Sequence, residues 1–187
     1  MQGLDASYFD GMSDSEKARA WTFLENRFER SSDRIIGLVL LDPVRAVELF
    51  KQAVASPIAD AAFAAVRRDA EGNRLLLLRQ IIQLDPSPEY FNALLPFARS
   101  EFPAVRAAFA KAVPRDSRIP AAVLALKHMV LTETDFIPLS AASSKLMSIH
   151  GLRYKPDDPV YRSILQSLMS QDLEQKMAGI HQLQASE

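Results

Sequence analysis

The 187-residue sequence predicts an all-α protein built from about ten short helices, stacked as duplicated units. Three features lead there. Landmarks recur in order: Leu41-Asp42-Pro43 returns as Leu84-Asp85-Pro86, and Pro57-x-x-x-Ala61-Ala62-Phe63-Ala64 returns as Pro103-x-x-x-Ala107-Ala108-Phe109-Ala110. Both offsets fall at roughly 43–46 residues, a period at which single helical units must stack to bury their apolar faces. Helix-start pairs punctuate the chain at Asp42-Pro43, Ser56-Pro57, Ser87-Pro88 and Asp158-Pro159. Apolar residues recur at helical three-and-four spacing, whereas alternating strand patterns are scarce.

Taken in order, Ser13-x-x-Glu16 reads as a capping box opening a helix over about 14–30, with Trp21, Leu24 and Phe28 on one face. A short helix over about 34–41 follows, and Asp42-Pro43 opens the next, with Val47, Phe50 and Val54 as its buried stripe. Ser56-Pro57 opens an Ala-rich helix to Asp69, in which Phe63 fills the core and Gly72 supplies the stop. The second copy starts at Asn73 with a widely apolar helix through Leu84. Ser87-Pro88 starts another helix, which Pro96 ends or kinks by removing a hydrogen bond and crowding the preceding turn. Pro103 starts the third helix of this copy. A degenerate unit comprises 120–131 and then 136–150, capped by Thr134 or Asp135 and stopped at Gly151. Beyond a polar linker, Asp158-Pro159 and Ser170 open two last helices. The whole reads as one domain: an acidic leader over 1–12, a repeat stack over 13–150, a linker over 151–158 and a C-terminal helical pair over 159–187.

Composition narrows the classes of function. Net charge is −1, from 22 basic and 23 acidic residues, which argues against a dedicated nucleic-acid binder. There is no cysteine, hence no disulfide framework and no thiolate nucleophile or metal site, in keeping with a cytoplasmic protein. Met1 to Asp10 has no basic start followed by an apolar run, so no secretory signal is read there. No stretch approaches the ~20 apolar residues that would span a bilayer.

Candidates for chemistry are few. His128, His150 and His181 fall on different helices, without metal-site spacing. His150 suits a helix C-terminus before Gly151, where an imidazolium meets the negative end of the dipole. No glycine-rich phosphate cradle or nucleophile elbow occurs. Ser140, Ser143 and Ser144 read as a helix face, and Asp158 of the Asp157-Asp158 pair reads as an N-cap. Catalytic, cofactor and metal residues are therefore assigned as none. Basic residues exceed acidic ones between Arg99 and Arg118, an edge suited to an acidic partner. The candidate partner-binding residues are Arg67, Arg68, Arg106, Arg115 and Arg118.

Through its Asp-Pro pairs and its two Pro-x-x-x-Ala-Ala-Phe-Ala segments, the chain resembles HEAT and armadillo-like α-solenoids over about 33–150. That resemblance implies protein binding through a surface of successive helices. Small helical-repeat proteins of this kind include bacterial immunity proteins that occlude a toxin, along with adaptors and assembly scaffolds. They also include DNA glycosylases, which need a catalytic acid among exposed aromatic and basic residues. Trp21, the one tryptophan, lies instead on an apolar stripe. The expectation is a non-enzymatic protein-binding module of the inhibitor or immunity type. A DNA-binding or glycosylase-type protein and a general scaffold stand as alternatives.

Overall fold

A computed structural model describes residues 6–58, 62–115, 119–152, 154 and 157–185. Among these the regular structure is entirely helical, in ten α-helices and three 3-10 turns. The chain divides into two compact units, Met1–Tyr90 and Phe91–Glu187, where the sequence reading has a single domain. The division falls within a helix, not at the polar stretch after Gly151.

The first unit begins with a 3-10 turn, Ala6–Phe9, and α1, Asp14–Glu25. The expected capping box forms: Glu16 N–H donates to Ser13 Oγ at 3.4 Å, and Ser13 N–H donates back to Glu16 Oε2 at 2.8 Å. α1 ends five residues short of the expected Arg30. Arg27 turns into the left-handed region (φ 55°), and a separate turn, Phe28–Arg30, delivers Phe28 to the core. α2, Ser32–Leu41, and α3, Pro43–Ala55, start at their Ser31 and Asp42 caps. Trp21, Leu24, Phe28, Ile35, Leu38 and Phe50 form one cluster with Leu77 and Ile81. The Phe28 and Phe50 rings stack at 5.6 Å. Trp21 is committed structurally: its indole N–H donates to Glu25 at 2.9 Å, and the Arg45 guanidinium lies 4.1 Å over its ring.

Of the Ala-rich helix expected over Pro57 to Asp69, residues 59–61 lie outside the described ones, while 57, 58, 62 and 63 are not helical. α4 spans Ala64–Leu84 and runs through Gly72 instead of stopping there. A mid-helix glycine costs only about 1 kcal/mol, and the buried face made by Leu75, Leu77, Leu78, Ile81 and Ile82 outweighs it. Phe63, assigned to the core, precedes this helix and is 76% exposed. Nor does Asp85-Pro86 open a helix. Asp85 closes α4, and α5, Pro88–Leu94, begins three residues later and carries the chain into the second unit.

In the second unit α5 tightens into a 3-10 turn, Leu95–Arg99, at Pro96. α6, Pro103–Ala112, α7, Pro120–Thr132, and α8, Phe136–Ile149, follow. α8 packs against both α6 and α7. Its end matches the expectation closely. Gly151 takes φ 79°, its N–H reaches Ser148 O at 3.2 Å, and Leu152 N–H reaches Met147 O at 2.9 Å, a Schellman closure. α9, Pro159–Leu168, starts with Asp158 accepting from the Val160 and Tyr161 amides. α10, Leu173–Ala185, lies against α9. A Cβ on Gly179 would meet Ser167 Cβ at 3.0 Å and Leu168 Cδ2 at 3.1 Å, so a side chain there would press on α9.

Candidate functional site

A helix leaves its last carbonyls without partners, and this chain satisfies several of them with long cations from other elements. The Arg34 guanidinium donates to Phe23 O and Asn26 O at the end of α1. Arg74 donates to Val54 O and Ser56 O, each at 2.8 Å, at the end of α3. Lys145 on α8 donates to Lys111 O and Val113 O at the end of α6. Lys176 on α10 donates to Glu133 O, just past α7, at 3.3 Å. These charges hold the fold together.

Arg106 belongs to the same economy. From α6 its guanidinium forks onto Glu133, with bonds of 2.6 and 3.0 Å, reaches Asp135 at 2.9 Å and donates to Ser100 O at 2.9 Å. Glu133 is nearly buried and also accepts the amides of Thr134 and Asp135 at 3.1 and 3.0 Å. Burial pushes the Glu133 carboxyl up, but the Arg106 bonds and charge with the two amides outweigh it and hold the group below the ordinary carboxylate value. Lys176, 4% exposed, is pulled below the usual lysine value by burial, against the opposing charge of Glu133. This cluster fixes the turn between α7 and α8, and so fixes where α8 begins.

Next to that turn, α6 and α8 open into a groove of about 440 Å³. Its cations are Lys111, Arg115 and Lys145. Ser140, Ser144 and Ser148 also line it; a spacing of four places their hydroxyls in a row along one face of α8. Phe136 and Ile137, in the first turn of α8, contribute an aromatic and an aliphatic side chain that are 73% and 66% exposed. Among the described residues, no carboxylate lines the groove. Lys145 is held by the α6 carbonyls, whereas Lys111 and Arg115 are exposed and form no ion pair with a described residue. A concave wall carrying charge of one sign focuses potential outward and attracts anionic groups.

The five arginines expected to bind a partner do not share one environment. Arg67 and Arg68 lie on α4 in the first unit; Arg67 is half-buried, and Arg68 pairs with Asp69 at 2.9 Å. Arg106 is the half-buried clamp just described. Arg115 lines the groove, and Arg118 lies outside the described residues. Lys145, Phe136 and Ile137 were not singled out from sequence, whereas Lys111 belongs to the basic run between Arg99 and Arg118 that the sequence shows. Ser140 and Ser144 were noted as a helix face, and extending that row by four to Ser148 was the available signal. Ser143, between them, is fully buried.

A second cleft, of about 490 Å³, lies in the first unit among Glu29, Arg30, Asp69, Asn73 and Arg74. Its polar groups are largely engaged internally, as in the bond from Asn73 to Glu29 O at 3.0 Å. Among the described residues, no three histidine or carboxylate side chains are grouped to hold a metal ion. No described helix is long and apolar enough to cross a membrane. No protein-family model, curated protein or solved structure matches the chain.

Proposed function

We propose that this chain is a non-enzymatic protein-binding module, of HEAT/armadillo-like construction, that occludes a partner protein in the manner of an inhibitor or immunity protein. One observation carries the reading: Phe136 and Ile137 stand exposed in a groove whose charged lining, among the described residues, is basic. Large apolar side chains beside uncompensated charge are what a protein interface uses, an apolar centre bordered by a polar rim. Nearly neutral overall charge supports a protein partner over a nucleic acid, whose binding rests on neutralising many phosphates.

Capture of the tagged full chain from extract of its native cells, with mass spectrometry of the eluate, tests this. A stoichiometric partner protein whose own activity falls when this chain is added is the expected result. An eluate holding nucleic acid and no protein would overturn it in favour of the DNA-binding alternative.

A further inference from the structure

We infer that the groove between α6 and α8 receives an extended acidic segment of the partner, with carboxylates on Lys111 and Arg115 and an apolar side chain against Phe136 and Ile137. This rests on the protein-binding reading and specifies its ligand.

Charge complementarity selects the occupant. Among the described residues, the groove presents three cations and no carboxylate. Several cations elsewhere in the chain are occupied: Arg34, Arg74 and Lys176 satisfy helix ends, and Arg106 holds Glu133 and Asp135. Lys145 adds its field while bound to the α6 carbonyls. Lys111 and Arg115, exposed and without a described ion-pair partner, are left to meet an incoming anion. The hydroxyl row on α8 can both donate to and accept from a peptide backbone, whose polar groups need partners once water is displaced. The apolar pair at one end gives the segment an anchor and a direction. A nucleic acid fits this site less well, because two available cations neutralise few phosphates and electrostatic affinity grows with their number.

The test uses the full-length chain labelled with 15N, titrated with a synthetic peptide alternating glutamate and leucine. A peptide of the same length alternating lysine and leucine is the control. Amide shifts concentrated at 111–115 and 136–148, with no binding of the control, are expected. The double variant Lys111→Glu/Arg115→Glu should weaken the acidic peptide about tenfold or more, since it reverses both contacts. Ser144→Glu, a change at an exposed position that leaves both cations in place, should weaken it too and guards against a folding defect in the double variant. Shifts centred elsewhere, equal affinity in the charge-reversed protein, or displacement of the peptide by a short DNA duplex at lower concentration would each overturn the inference. Partner capture separates this from the broader reading. If wild type and the double variant retain the same protein equally, the groove assignment falls and the binding-module reading stands. If wild type retains no protein, the broader reading fails whatever the peptide does.

Discussion

Phe63 and Phe109 occupy the same place in two stretches that share Pro-x-x-x-Ala-Ala-Phe-Ala, one in each compact unit, and only one of them is buried. Phe109 sits in α6 and is 0% exposed, whereas Phe63 stands just before α4 and is 76% exposed. Pro103 serves as the first residue of its helix, while the described helix of the other stretch starts only at Ala64. Neighbours at helical spacing account for the difference. Around Phe109 the stripe reads Val105, Phe109, Ala112 and Val113, all buried. The corresponding letters in the first stretch are Ala59, Phe63, Val66 and Arg67, smaller at the start and charged at the end. Arg106, which ties α6 to Glu133 and Asp135, corresponds to Asp60, of opposite charge. A shared Ala-Ala-Phe-Ala motif supplies helix propensity. A continuous apolar stripe and an anchoring charge decide whether that helix is used.

The widest separation should come from truncating the two phenylalanines. Phe109→Ala should destabilise by about 3–5 kcal/mol, as loss of a fully buried aromatic does. Phe63→Ala should stay within about 0.5 kcal/mol, as surface changes do. Urea midpoints followed by circular dichroism measure both; comparable losses would break the comparison.

Next in size is the anchor. Arg106→Met leaves Glu133 nearly buried without its main partner, which costs about 3–5 kcal/mol for a broken buried pair. Acid dependence gives a second reading of the same contact. Because the Glu133 carboxyl is held low in the folded chain, the unfolded chain binds more protons in acid. Its contribution is complete above the unfolded value of about 4.3 and is lost as pH falls through the lower folded value. In Arg106→Met, urea midpoints measured from neutral pH into that range should decline less steeply. An unchanged acid slope would show that the clamp is not what holds the carboxylate charged.

The smallest effect concerns Gly72, where the first stretch was expected to end its helix. α4 continues through this position, and a Cβ there would have nothing within 4 Å. Gly72→Ala should therefore stabilise the chain by about 0.5–1 kcal/mol. At Gly37 the same change would bring its Cβ to 3.1 Å from two Leu24 methyl carbons, so the gain should vanish or reverse. A loss at Gly72 would mean that the helix breaks there after all.

What was legible in the sequence was mostly local. The Ser13–Glu16 box, the Asp42 and Asp158 caps, the Pro96 break and the Gly151 stop involve groups a few residues apart, so their chemistry can be read from adjacent letters. The burial of Trp21, Leu24 and Phe28 was legible too, although Phe28 reaches the core from a separate turn. The groove was legible in part, at Lys111 and Arg115 in the basic run and at Ser140 and Ser144 as a helix face. Nothing local distinguishes Arg106, whose partners lie 27 and 29 residues away, from Arg115, which lines a surface groove. Phe136 and Ile137 follow a cap position, where apolar letters ordinarily read as core.

The sequence by itself determined that this protein is helical and where many of its helices start and stop, because propensity, capping and proline geometry act over one or two turns. Tertiary structure alone decided which copy of the Ala-Ala-Phe-Ala motif is buried. It also decided which cations close helix ends and which remain at the surface, since both outcomes depend on apolar faces and carbonyls supplied from distant parts of the chain.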